Sequence, residues 1–429
     1  MIKSVFQNRM NRYLFTFALL WGITGTASAQ LTLEECYQLA RANYPAIKKM
    51  DLIAQTSDYD LQNAGKRFLP QINFSGQATY QSQTVSFSDA LGSLPAGIAL
   101  PSISKDQYKI QGEINQLLYD GGSTRNQKEL IHAHKELQEQ NLETSLYTIN
   151  NRVNHIFFSV LLMDARLKQN ELNRANLQTQ VQKTEAALEN GVAFRSNLDE
   201  LKAEIVNIDM AGTEYSANRL AYLKMLSLFI GKELPGNTTL SVPVAEASPS
   251  IINRPELKAF DLQKSVYDVQ RKDLKSNYLP QVSAFFQGAY GRPTLNIIEN
   301  AFGPWFITGI RLNWSLGSLY TLSNRKNTLL LQQKSIEADR ETFLFNTQLD
   351  VLQEDENIKK YRALILRDEE MISLRSSVTK SAEAQLNNGI ITTDEYIRKV
   401  NAEHLARQNK ILHEIQLLQA LYNRKFLLN

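Results

Sequence analysis

One cysteine is all the thiol chemistry this sequence offers. Cys36 has no partner for an internal disulfide, and on a helix it reads as a small packing residue. Histidine is scarce too, with five in 429 residues. His132 and His134 stand two apart and so point to different faces of a helix, a poor chelate, while His155, His404 and His413 stand alone. No glycine-rich phosphate loop, paired metal ligands or nucleophile motif occurs. That removes the usual starting points for an enzyme and gives no reason to invoke a metal or cofactor. Excess charge is also missing: 47 bases face 44 acids, and three of the bases lie in the first 29 residues, where there is no acid. Without those residues the chain is formally neutral, which gives no support to a nucleic-acid partner. Finally, no apolar run is long enough to span a bilayer as a helix.

What is present begins with a leader. Lys3, Arg9 and Arg12 precede the apolar run from Tyr13 to Ile23, and Ala27-Ser-Ala29 supplies a small-residue cleavage site before Gln30. Residues 1–29 read as a secretory signal and 30–429 as the exported chain. Cys36 follows Leu-Glu-Glu rather than a small-residue box, which argues against an N-terminal lipid anchor.

The exported chain is written twice. Phe68-Leu-Pro-Gln-Ile-Asn-Phe-Ser-Gly-Gln-Ala-Thr-Tyr80 returns 210 residues later as the stretch from Tyr278 to Tyr290. In the first copy Ile72, Phe74, Gly76, Ala78 and Tyr80 alternate with polar residues, a period of two that predicts a strand with one apolar face. The second copy repeats this with Val282, Ala284, Phe286, Gly288 and Tyr290, with lapses at Phe285 and Ala289. Two further strands follow their partners across loops at 82–105 and 291–304. One carries Tyr108, Ile110, Gly112 and Ile114; the other carries Phe306, Ile310, Leu312 and Trp314 on one face. Strands are thus expected at about 71–80, 108–117, 281–290 and 305–314.

Helices fill the rest. Thr32-Leu-Glu-Glu35 has capping-box spacing, Pro45 predicts a break, and Pro70 ends the second helical stretch. Thr124-Arg-Asn-Gln127 has capping-box spacing for a helix that meets no Gly or Pro before Gly191. Within it Leu142, Leu146, Ile149, Val153, Ile156, Val160, Met163 and Leu167 step by four and three, a coiled-coil seam. Ser196-Asn-Leu-Asp199 is expected to start the return helix, whose seam lapses at Gly212 and Arg219. After an irregular linker at 233–252, Asn253-Arg-Pro-Glu256 opens the second copy, whose long helix is expected from Asn324 to Asn388. The repeats cover about 31–232 and 253–429.

Four strands of about ten residues match transmembrane β-strands. The alternative, a soluble sheet covered by helices, is poorly served by helices far longer than the sheet. Four strands cannot close a barrel, and lipid excludes an open edge because its N–H and C=O groups find no water. Several chains must therefore share the barrel, and three would supply twelve strands.

With this arrangement the chain resembles the TolC-like outer-membrane efflux proteins. The resemblance runs from about Leu31 to Leu428 and rests on two repeats of helix, Leu-Pro, strand, loop, strand, long helix, glycine tip and helix. Leu118-Tyr-Asp-Gly-Gly122 resembles the family's strand-to-helix turn, and Leu316-Gly-Ser-Leu-Tyr320 is a looser second copy. It implies a homotrimeric channel-tunnel, mostly α with transmembrane β. Its twelve-stranded barrel, four strands per chain, sits in the outer membrane, and its coiled-coil α-barrel in the periplasm. The lipid-facing side chains would be Ile72, Phe74, Tyr80, Tyr108, Ile110, Ile114, Val282, Phe286, Tyr290, Phe306, Ile310, Leu312 and Trp314.

The resemblance also implies that the helical tips dock a periplasmic adaptor protein at Asn190-Gly191-Val192 and Asn388-Gly389-Ile390. A glycine that merely caps a helix accounts for either position singly; their matched placement favours docking. Glu395, with Asp394 beside it, matches an acidic position at the periplasmic aperture. Arg398 stands where some members carry a second acid, and Thr392-Thr-Asp-Glu395 also fits a capping box, so both roles stay open for Glu395. The implied function is the passive exit duct of a tripartite efflux pump working with an adaptor and an inner-membrane pump. The alternatives are the outer channel of type I protein secretion and a structural coiled-coil envelope protein without a pore. Four bilayer-length strands speak against the last.

Overall fold

The computed structural model describes residues 30–84, 103–244, 251–276, 278–296 and 299–429. The leader, most of the loop expected at 82–105 and part of the linker lie outside the described residues. The rest divides into two compact units, one holding residues 45–147 and 251–350, the other residues up to 44, 148–250 and 351–428.

The first unit contains the sheet. A short 3-10 turn at Pro45–Lys48 leads into α2, Lys49–Lys66. Strands β1 (Gln71–Tyr80), β2 (Asp106–Tyr119), β3 (Gln281–Arg292) and β4 (Gly303–Asn313) form one antiparallel sheet in that order. Its middle register aligns Phe74, Gly112, Gly288 and Phe306 across all four strands. The flanking row aligns Gly76, Ile110, Tyr290 and Pro304. Pro304 donates no ladder bond, and it is tolerated because β4 is an edge strand. Strand β2 runs past the alternation at both ends: Gln107 and Asp106 pair with Thr79 and Tyr80, and an irregularity between Leu117 and Tyr119 lets Tyr119 still pair with Val282.

Beside the sheet, α3 (Ser123–Glu189) and α6 (Leu319–Asn387) begin, and α5 occupies Pro255–Ser276. Ala133, Val266 and Val269 form an apolar contact between α3 and α5. Pro255 opens α5, where the missing N–H is no loss.

Two helix starts differ from expectation here. Thr124 does not cap α3. The Asp120 carboxylate does, accepting from the Gly122 amide at 2.9 Å and the Thr124 amide at 2.7 Å. Gly121 and Gly122, both at positive φ, fold the chain back over that carboxylate. In the second copy Ser318 stands in the place of Asp120. A 3-10 turn at Leu316–Ser318 runs directly into α6, which therefore starts at Leu319 rather than 324.

The second unit is helical. Its α1, Leu33–Asn43, begins with the capping box of Thr32 and Glu35 and buries Cys36, whose thiol burial pushes up to about 12. The remaining lengths of α3 and α6 pack with α4 (Arg195–Ile230) and α7 (Thr393–Leu428). Along α3, Ile149, Val153, Ile156, Val160 and Met163 are buried as the seam requires. The two lapses in the α4 seam have jobs. Gly212 leaves room for Asn170, whose amide donates to the Ile208 carbonyl at 2.8 Å. Arg219 pairs with Asp164 and donates to the Gly236 and Thr238 carbonyls, pinning the linker. His413, solitary in the sequence, meets Asp368 at 2.6 Å.

Start signals fail at α4 too: it begins at Arg195 with Phe194 in the N-cap position and no side-chain cap, so Ser196 does not start it. No helix among the described residues is long and apolar enough to cross a membrane.

Candidate functional site

Three regions hold the candidate functional residues. The first is the sheet's apolar face. Ile72, Phe74, Tyr80, Tyr108, Ile110, Ile114, Phe286, Tyr290, Phe306, Ile310, Leu312 and Trp314 are all exposed, Phe74 at 83% and Ile310 at 73%. Val282 is half-buried. Trp314 lies one residue beyond the observed end of β4 and donates its indole N–H to the Tyr278 carbonyl at 3.0 Å. A surface this apolar is costly in water, at about 25 cal/mol for each Å² left wet. Within the face, the Phe74 ring lies over Gly112, and Phe286 stacks on Phe306 with centroids 5.9 Å apart.

The opposite face is polar and internally tied. Glu113 accepts from the Gln287 amide at 2.8 Å and lies 3.4 Å from the Arg311 guanidinium. Arg311 in turn covers the Phe285 ring at 4.6 Å. Phe285, a lapse in the alternation, thus stands on the polar face over Gly309, with its ring capped by a cation.

The second region is the pair of tips. Gly191 (φ 72°) and Gly389 (φ 70°) are left-handed, and each closes its helix with the same bonds. The Gly191 amide donates to the Leu188 carbonyl and that of Val192 to Ala187; the Gly389 amide donates to Leu386 and that of Ile390 to Gln385. Both are Schellman caps. Even the asparagines match, with Asn190 and Asn388 side chains donating to the Ala186 and Ala384 carbonyls at 2.8 and 2.7 Å. Such a cap normally covers its following apolar residue. Here Val192 (78%) and Ile390 (70%) are left exposed, as is Phe194 (77%). Sequence reasoning passed over Phe194. The available signal was an aromatic residue where an N-cap favours Ser, Thr, Asp or Asn.

The third region is the start of α7. The Thr392 hydroxyl accepts from the Glu395 amide at 3.2 Å, which is half of a capping box. The returning half is absent: the Glu395 carboxylate makes no hydrogen bond or ion pair among the described residues, and the residue is half-buried. Arg398 instead pairs with Asp394 at 2.8 Å, both exposed. Of the three charges, Glu395 is the one left uncompensated. Its neighbour Tyr396 is buried in the core shared by α3, α4, α6 and α7, and burial pushes its hydroxyl up to about 12.

The fold therefore combines an exposed apolar sheet face, open strand edges and long paired helical hairpins. Solved structures of outer-membrane channels share this fold. The match to OprN, an outer-membrane channel, has a TM-score of 0.66 at 12% identity, covering 92% of this chain and 90% of that one. For the transmembrane channel CusC the values are 0.63 and 15%, with 91% of each chain covered. For the outer membrane channel MtrE of Neisseria gonorrhoeae they are 0.64 and 12%, with 92% and 88% covered. At these identities the likeness establishes the fold. No curated relative matches by sequence. The family model described as outer membrane efflux protein matches residues 36–232. The first copy of the repeat is thus similar to outer membrane efflux proteins, and the chain as a whole has the fold of solved outer-membrane channels.

Proposed function

We propose that this chain is the exit duct of a tripartite efflux pump, acting as a homotrimer that carries small molecules to the exterior. The observation that carries the reading is the four-stranded sheet with an exposed apolar face and two open edges. In lipid those edges must pair, and neighbouring copies of the chain are the partners that do so in register. Three copies give twelve strands, inside the range of outer-membrane barrels.

The tips Asn190–Val192 and Asn388–Ile390 are the proposed adaptor-docking points, and their exposed Val192 and Ile390 give a coiled-coil adaptor apolar purchase. Glu395, repeated three times around the axis, is the proposed charge of the periplasmic aperture. Asp394 and Arg398 largely neutralise each other beside it.

Photocrosslinking from Val192 and Ile390 in the source cells, combined with deletion of the chain, tests this. The expected result is capture of a periplasmic coiled-coil adaptor and raised intracellular accumulation of a fluorescent dye on deletion. Capture of an adaptor with unchanged dye accumulation, but loss of a protein from the medium, would reassign the duct to type I secretion. No adaptor and no transport defect would overturn the duct reading.

A further inference from the structure

We infer that the junctions between strands and helices form a basic collar that binds anionic phospholipid headgroups of the periplasmic leaflet. The inference rests on the reading of the sheet as part of a lipid-embedded barrel. Each strand has, at its helical end, an exposed cation with no carboxylate partner among the described residues. Lys66 lies five residues before β1, Lys128 nine after β2, Lys275 six before β3, and Arg325 and Lys326 twelve and thirteen after β4. Three other bases nearby are compensated. Arg125 and Lys272 share Glu129 at 3.5 and 3.6 Å, and Arg271 pairs with Asp268 at 3.0 Å. No acid at all occurs between Asn313 and Glu337.

Helix electrostatics do not explain the pattern. Lys66 and Lys275 end their helices, where the dipole favours cations, but Lys128, Arg325 and Lys326 stand past the first turns of α3 and α6, beyond its reach. Neither of those helices has an acid in its first turn. The placement also repeats: Lys128 stands ten residues after Leu118, and Lys326 ten after Leu316, in the two copies of the strand-to-helix turn.

Depth fits a headgroup. Exposed Phe68, Leu69, Tyr119, Trp314 and Tyr320 mark the boundary with apolar and aromatic side chains, as at other membrane interfaces. At about 1.5 Å per helical residue, Lys128 and Arg325 lie roughly 8 and 9 Å along α3 and α6 from the helix starts. The headgroup zone is about 5–8 Å deep on each side, within reach of long side chains that snorkel.

The test uses the full-length protein in phosphatidylcholine vesicles with trace spin-labelled lipid, where electron spin resonance separates lipid slowed against the protein from bulk. Labelled phosphatidylglycerol should be slowed roughly three- to five-fold more than labelled phosphatidylcholine, the scale of one close cation–headgroup contact. The preference should fall towards parity as salt rises to about 1 M, where the Debye length is about 3 Å. It should vanish when Lys66, Lys128, Lys275, Arg325 and Lys326 are all changed to Gln. Equal slowing of both lipids by the unmodified protein, or a preference that survives the five substitutions, would overturn the collar. The salt series needs no variant, so a misfolded variant does not shelter the proposal. Slowed lipid without headgroup preference sinks only the collar; no slowed lipid of either kind sinks the barrel reading and the collar with it.

Discussion

Placing a lysine on either side of one strand asks directly which face of the sheet meets lipid. Ile110 and Gln111 are neighbours on β2, pointing to opposite faces near the middle of the strands. Ile110 pairs with Gly76 and Tyr290, and Gln111 with Ser75 and Ala289. Ile110 is 69% exposed on the apolar side. A lysine on the lipid face at the midplane costs about 2–4 kcal/mol, so three copies in one barrel would lose on the order of 6–12 kcal/mol. On the polar face, where Lys109 and Glu113 already stand, the change should stay within about 0.5 kcal/mol. The assay is the fraction of protein that refolds into vesicles as a heat-modifiable, detergent-resistant oligomer across a urea series. Ile110→Lys should shift that transition strongly or abolish folding, and Gln111→Lys should leave it in place. Equal tolerance of both, or the reverse order, would refute the assignment of faces.

Four further substitutions test other parts of the chain. Glu395→Gln should lower cation preference in planar bilayers without lowering oligomer stability, because its carboxylate holds no helix-capping bond. Arg398→Ala should raise that preference by freeing Asp394, and unchanged selectivity in both would remove this region from the aperture. Asp120→Ala should cost about 1–2 kcal/mol as the loss of an N-cap, read from thermal unfolding in detergent. Burial works against the Asp120 charge, but hydrogen bonds from Thr124 and Gly122 and the nearby Arg67 outweigh it and hold its carboxyl below the usual range. A depressed carboxyl stabilises the fold above its unfolded value of about 3.9, so this contribution should fade only as pH drops below about 4, and should be missing throughout from Asp120→Ala. Phe194→Ser should improve the helix start yet weaken adaptor capture at the first tip; stronger or unchanged capture would assign Phe194 no part in docking.

Much of this architecture was readable because a period of two cannot be mistaken over ten residues. The strict alternation from Ile72 to Tyr80 lies wholly within β1, and seam positions such as Val153 and Val160 are fully buried. Helix starts were harder, since capping depends on which side chain the turn delivers rather than on spacing alone. Thr124 and Gln127 have the right interval, but the two left-handed glycines before them bring Asp120 to the amides first. Lapses in pattern were legible as positions and not as roles. Arg219 holds the linker, and Phe285 sits under Arg311, contacts made by residues distant in sequence. At the candidate aperture the sequence shows three charges within five residues, and only the geometry reveals that Arg398 takes Asp394 and leaves Glu395 alone.

The central claim is that open strand edges force several copies of this chain to share one barrel. Its most direct measurement is the mass of the purified full-length protein in mild detergent, by light scattering corrected for bound detergent. Three chains per particle, persisting on dilution, are the expected result. A stable single chain that stays folded in lipid would contradict it, because its unpaired edges would have no partners there.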